Sequence, residues 1–270
     1  MASGIVKYAV LLFWLLVALM PFIWMWSSAF KSSREIFRDP FALPTTINID
    51  NLINAWTVGR FGNYIGNSII ITIPTVLGVL VLACLAGYGI ARYNFRGRTV
   101  IFYLFLLGIM VPFQSVMIPL YYNLRDYGLL GTYGAMILPA VGLGLPFGIF
   151  LMQAFFRGLP EELADAARVD GCNEFQTFGL VILPLARPAV STLFVFQFMW
   201  TWNAFLMPLL YMQRESLRPL PLGLMFFQGR YTSDYGMLAA GISIATLPVI
   251  LIYILFQRQF IRGLTAGALK

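Results

Sequence analysis

The stretch FGNYIGNSIIITIPTVLGVLVLACLAGYGIA, residues 61–91, contains no Asp, Glu, Lys or Arg. A helix needs about 20 residues to cross roughly 30 Å of hydrocarbon, and this run is longer. Its apolar residues are continuous and do not alternate with a period of two, so it reads as a spanning helix and not as a barrel strand. Five more windows share the property, at 8–30, 99–124, 127–156, 188–213 and 235–257. The expected architecture is an all-α polytopic membrane protein. Its six transmembrane helices are placed over 8–30, 66–91, 99–121, 134–156, 186–208 and 236–257 in a single domain covering 1–270.

Composition agrees with this reading. The chain is 60% hydrophobic and 11% charged, against about 25% charged in an ordinary soluble domain. Lys7 precedes the first window, as in a secretory signal. The window is too long for that, and Trp14, Trp24 and Trp26 are unlike a small-residue cleavage site. The net charge of +7 is dispersed around the spans without an aromatic-basic groove, which points to lipid headgroups and not to nucleic acid. His is absent and Cys occurs at Cys84 and Cys172 alone, so neither His-based catalysis nor a clustered metal site is expected.

Six spans place both termini on one side. The loops on that side carry Lys7, Arg92, Arg96, Arg98, Arg157, Arg168, Arg187, Arg258, Arg262 and Lys270. The other side carries Lys31, Arg34, Arg38, Arg60, Arg125, Arg214, Arg218 and Arg230 over more residues. The bias assigns the termini to the cytoplasm, with the compact RYNFRGR loop at 92–98 as its strongest element. Pro74, Pro112, Pro119, Pro146 and Pro248 invite kinks, and the glycines of the spans let helices approach closely. Buried amides are costly in hydrocarbon. Asn67, Gln114, Gln197 and Asn203, with Trp200 and Trp202, are therefore candidates for a path carrying a neutral polyhydroxylated solute. Interhelical hydrogen bonding and an interfacial aromatic belt are the competing roles for the same residues.

The segment RGLPEELADAARVDGCNEFQTFGLVILPLAR, 157–187, is the longest polar stretch on the side of the termini. Pro160 suits a first helical position, Glu161 and Glu162 complement the helix dipole, and Gly171 supplies a left-handed exit. Asn173 and Gln176 form a capping-box pair for a second helix that Pro184 is expected to stop. Leu163, Ala166, Ala167 and Asp170 share a narrow face of mostly small residues, a surface that another backbone approaches closely. Phe175, Phe178 and Ile182 form an apolar stripe expected to anchor the loop to the bundle.

The order Asp165, Ala166, Ala167, Gly171, Val181, Leu183, Pro184 resembles the EAA loop of the membrane subunits of binding-protein-dependent ABC importers. Asp165 and Val181 replace the usual Glu and Ile. AARVDG at 166–171, WTWNAFLMP at 200–208, DYGMLAAG at 234–241, ATLPV at 245–249 and FQRQFIRGLTAGALK at 256–270 look like carbohydrate permeases of the maltose-permease type, in particular the smaller, six-span subunit. The resemblance implies that 159–184 is a cytoplasmic coupling loop and 258–270 a cytoplasmic tail. Glu162, Asp165, Ala166, Ala167, Asp170, Gly171, Leu183 and Pro184 would then form the seat for an ATPase. It also implies a heterodimer with a second permease, two ATP-binding subunits holding ATP and magnesium, an extracytoplasmic solute-binding protein, and residence in a bacterial or archaeal cytoplasmic membrane. This chain itself would hold no cofactor. A sugar or oligosaccharide is the expected solute, with a glycerol phosphate or another polar molecule as the alternative.

The remaining classes lack their chemistry. Lys7, Lys31 and Lys270 are the only lysines and none follows a glycine, so there is no phosphate-binding loop ending in Gly-Lys. A secondary transporter usually places ionisable groups in its spans, and these windows have none.

Overall fold

The structure is a computed structural model that describes residues 2–227 and 234–266. It is all-α, with no strand among the described residues. The chain divides into two compact units, Met1–Gly66 with Pro219–Pro248, and Asn67–Arg218 with Val249–Lys270.

In the first unit, α1 (Ala2–Ser28) is apolar along its length, and its side chains are exposed almost throughout. After it, α2 (Ser33–Arg38) starts from a capping box in which the Ser32 side chain accepts from the Glu35 amide and Glu35 accepts from the Ser32 amide. The helix α3 (Asp50–Thr57) contributes Asn51, whose side-chain amide donates to the carbonyls of Ala29 (3.0 Å) and Lys31 (2.8 Å). That pair of bonds ties α3 back to the end of α1.

The second unit holds the core. Next come α4 (Phe61–Arg92), α5 (Arg98–Met110), α6 (Phe113–Asp126) and α7 (Gly134–Arg157). The helices α8 (Glu162–Val169) and α9 (Glu174–Gln176), a π-helical turn (Thr177–Ile182) and α10 (Leu183–Leu185) build the polar loop. The chain continues through α11 (Arg187–Trp202) and α12 (Leu206–Tyr211); α13 (Leu220–Gly223) belongs to the first unit, and α14 (Tyr235–Ala266) is divided between the two at Pro248. Val79, Ala83, Cys84 and Tyr88 of α4 pack with Ile149, Met152 and Phe156 of α7 and with Ala189 and Leu193 of α11. Lipid tails are as apolar as these side chains, so close packing and not the hydrophobic effect joins such helices. Glycines make that possible. A Cβ on Gly148 would lie 2.8 Å from the Ala83 Cβ, and one on Gly87 would lie 3.0 Å from the Gln153 backbone nitrogen.

Among the described residues, Gly4–Ser28, Phe61–Arg92, Gly134–Arg157 and Tyr235–Gln257 are helices long and apolar enough to cross a membrane. The other two expected spans are bent. The stretch expected as one helix over 99–121 is α5 and α6, meeting at 99°. Pro112 has no N–H to donate and disfavours helix at the residue before it; Val111 is accordingly extended, with φ −83° and ψ 109°. The break is complete where only a kink was expected. The stretch expected over 186–208 is helical as α11 only to Trp202 and is bent 76° from the segment Glu174–Leu185 before it. The turn falls at Ala186 (ψ 1°), so Pro184 does not stop its helix but lies inside α10. Of the expected tail, α14 continues as helix to Ala266, and 267–270 lie outside the described residues.

Gly148→Val adds two methyl groups where a single Cβ already collides with Ala83. We expect this to destabilise the purified protein by about 1–3 kcal/mol, seen as a lower thermal midpoint in detergent. An unchanged midpoint would contradict the close contact of α4 and α7.

Candidate functional site

The polar loop is a braced platform. Its first helix, α8, begins after Glu161, two residues later than Pro160 suggested. It ends in a Schellman motif: the Gly171 amide donates to the Arg168 carbonyl (3.0 Å) and the Cys172 amide to the Ala167 carbonyl (3.0 Å). Gly171 has φ +86°, the left-handed value this exit requires. Asn173 and Gln176 then form the expected capping box, with both bonds at 2.9 Å.

The brace is polar and was not visible in the sequence. Arg168 donates to Asp165 Oδ1 (2.7 Å) and to both oxygens of Glu174 (2.8 and 3.3 Å), tying α8 to α9. The Tyr93 hydroxyl, just beyond the end of α4, donates to Glu174 Oε2 at 2.6 Å. The nearly buried Arg92 side chain donates to the Leu159 carbonyl at 2.6 Å and lies 3.7 Å from Glu161. In the sequence Arg92 and Arg168 count only as topology charges and Glu174 carries no assigned role; three-residue and six-residue separations around a glycine turn are the available signal. The Arg168 guanidinium holds the Glu174 carboxyl below its ordinary range. Burial, then the bond to Glu174, pushes the Tyr93 hydroxyl up to about 12.

Below the brace the loop is anchored by apolar contacts. Ala164 and Ile182 are buried in the core with Tyr88 and Phe156, and Leu163, Phe178, Val181 and Leu183 pack against it. The Phe178 ring lies 5.0 Å from Tyr88 and 6.2 Å from Phe156. Two expectations change here. Ala167 is buried, and Leu183 is half-buried and packs on the core, so the expected seat is not one continuous exposed face. Phe175, expected in the anchor, is 83% exposed. The outward face of α8 carries Glu162, Asp165, Ala166 and Val169, the last 88% exposed, and continues into Asp170 and Gly171. This face lies about one residue, or roughly 100° of helix rotation, from the one expected. Pro184 is half-buried.

A second feature of this unit is a cavity of about 260 Å³ lined by Phe113, Leu143, Gly144, Gln197, Trp200 and Phe205, among others. Of the expected path residues it brings together Gln197 and Trp200. Gln197 is 3% exposed, donates to Thr201 Oγ1 at 3.2 Å, and its Oε1 has no hydrogen-bond partner. Gly144 exists for this side chain, since a Cβ there would lie 2.6 Å from Oε1. The other four do not line the cavity. Asn67 donates to the carbonyls of Ser216 (2.8 Å) and Arg218 (2.9 Å) and accepts from the Tyr133 hydroxyl (2.7 Å), which makes it an interhelical strut. Trp202 is buried and stacked on Phe198. Asn203 donates to the Met199 carbonyl at the end of α11, and Gln114 is exposed in the first turn of α6. Among the described residues no group of His, Cys, Asp and Glu could hold a metal ion.

Comparison with known proteins decides the family. Residues 79–265 match the model of the binding-protein-dependent transport system inner membrane component. The chain belongs to that family. The permease is 34% identical over 98% of its length to the diacetylchitobiose uptake system permease protein NgcG of Streptomyces coelicolor, covering 88% of that protein. It is 36% identical to the arabinooligosaccharides transport system permease protein AraQ of Halalkalibacterium halodurans, over 94% of this chain and 92% of that one. Its fold matches a chain of a bacterial ABC transporter involved in the import of the acidic polysaccharide alginate, with a TM-score of 0.85, 25% identity and 96% of both chains covered. The permease is thus the multi-pass membrane component of an importer that works with a separate binding protein, and ATP is hydrolysed by a separate subunit.

The brace has a pH limit. Because the Glu174 pKa is lowered in the folded loop, its contribution is present at neutral pH and is lost as pH falls through that lowered value. Hydrogen exchange of the 159–184 amides should quicken a few-fold in Arg168→Ala at pH 7, and the difference from wild type should vanish in acid where Glu174 is protonated.

Proposed function

We propose that this permease carries a sugar or oligosaccharide across the cytoplasmic membrane of a bacterium or archaeon. It pairs with a second, different permease and two ATP-binding subunits that hold ATP and magnesium, and it receives solute from an extracytoplasmic binding protein. The observation that carries the reading is the outward face of α8, with small Ala166 between Glu162, Asp165 and Val169, standing on a platform bonded to the end of α4. An ATPase that seats this face and moves it would pull on α4 and α7 as one body, because Arg92, Tyr93 and the Tyr88–Phe156–Phe178 cluster tie the loop to both. That motion alternates the permease between inward-open and outward-open states, with both termini and the 159–184 loop in the cytoplasm.

The solute class rests on the relatives, which are named for diacetylchitobiose and arabinooligosaccharides, and on the cavity. Indole and phenyl rings beside a single amide, with no charged side chain, suit the CH faces and hydroxyls of a neutral carbohydrate.

Gly171→Asp puts a side chain at φ +86° and a charge at the exit of the seat. Left-handed strain of about 1–2 kcal/mol predicts roughly tenfold less ATPase co-purifying with the permease, while membrane insertion is unchanged. Val169→Asp tests the same face without backbone strain and should have the same effect; wild-type ATPase recovery in both would sink the docking role. Trp200→Ala should raise the half-saturating concentration of liganded binding protein for transport several-fold, with ATPase recovery unaltered. Transport kinetics identical to wild type would remove the cavity from the solute path.

A further inference from the structure

At the end of the bundle that carries the 159–184 loop, a second pocket of about 130 Å³ opens between α4, α5 and α7. Arg98, Thr99 and Tyr103 line it from α5, Gln153 and Arg157 from α7, and Ile90, Ala91 and Phe102 close it with apolar surface. No acidic residue lines it. Arg98 makes one bond, to the Tyr93 carbonyl at 3.3 Å, and neither arginine has a carboxylate partner among the described residues.

Two features mark the pocket as built for a ligand. Gln153 is only 9% exposed, and among the described residues its amide has no hydrogen-bond partner; it lines the pocket with both charges beside it. Its amide is therefore free to donate and accept hydrogen bonds toward a polar ligand in the pocket. Independently, α5 begins at Arg98 from Gly97, which offers no side-chain cap, so the positive end of its dipole lies beside the pocket that Arg98 and Thr99 line, although the Arg98 amide itself is taken by the Phe95 carbonyl (3.2 Å). Two guanidinium groups, a helix start, a hydroxyl pair at Thr99 and Tyr103 and an amide donor make an anion seat.

We propose that this pocket holds a phosphate group, the chemistry shared by an anionic phospholipid headgroup and free phosphate. Arg98 and Arg157 stand where the charge-free windows 99–124 and 127–156 begin and end, at the boundary of the hydrocarbon. A headgroup there leaves its acyl chains free to run along the apolar flanks of the same helices, as in basic pockets between membrane helices generally. Because Arg157 directly precedes the docking loop and Arg98 follows the Tyr93 brace, an occupied seat would fasten three helix ends beneath the platform.

The test is native mass spectrometry of the assembled importer, delipidated and then titrated separately with phosphatidylglycerol and with inorganic phosphate. The two adducts differ in mass, so the arms separate the sources. Saturable binding of either probe that weakens about fivefold for each of Arg98→Gln and Arg157→Gln, and is retained in Arg157→Lys, supports the seat and names its occupant. Gln153→Leu, which leaves the charges in place, should weaken the same binding and guards against misassembly of the arginine variants. Binding of neither probe by the wild type would overturn the proposal. So would affinity that is unchanged in the Arg98→Gln/Arg157→Gln double variant, or that falls equally in Arg125→Gln, at an arginine already paired with Asp126.

Discussion

Hydrocarbon offers no partner for a peptide N–H or C=O, so each segment inside it must satisfy its own backbone. The charge-free windows are long because of this constraint, and all of the described secondary structure is helical. It also makes the exceptions informative. The chain is bent at Val111–Pro112 and at Ala186, and each bend lies next to a functional feature. The first begins α6 beside Phe113, which lines the cavity; the second separates α11 from the docking loop.

The proposed docking role asks for a stiff loop, and this one has two independent sources of stiffness. Apolar side chains, Ile182, Phe178 and Ala164, root it in the core shared by α4, α7 and α11. Above them the Arg168–Glu174–Tyr93 chain of charge-assisted bonds links its two short helices to each other and to the end of α4. Exposed ion pairs alone contribute little to stability. Their value here is geometric, since Arg168 spans two helices whose relative angle the Gly171 turn would otherwise leave loose.

The helical class, the charge-free windows and the helix–turn–helix pattern of the polar loop were legible in the sequence because they depend on composition and on local rules. A run without charges is readable without knowing its neighbours, and so are the Gly171 exit and the Asn173–Gln176 capping box. The loop's facing was not. Helical periodicity groups Ala166 with Ala167, yet only packing reveals which of two adjacent faces the core claims, and it claims Ala164 and Ala167. The polar candidates divided for the same reason. Asn67 and Gln197 look alike as amides in apolar windows, but one meets two carbonyls and a tyrosine hydroxyl, while the other leaves an oxygen unpaired beside a cavity.

The sequence by itself determined that this protein is an all-α membrane protein, that its longest polar loop folds as short helices around a glycine turn and, by resemblance, to which family it belongs. Each of these follows from residues close together along the chain. Tertiary structure alone decided which side of α8 faces outward, that Arg92 and Tyr93 brace the loop, that Gln197 and Trp200 meet Phe113 and Leu143 at one cavity, and that Arg98, Gln153 and Arg157 meet at one pocket. Those pairings join residues tens of positions apart, and a linear pattern carries no record of which distant side chains close packing brings into contact.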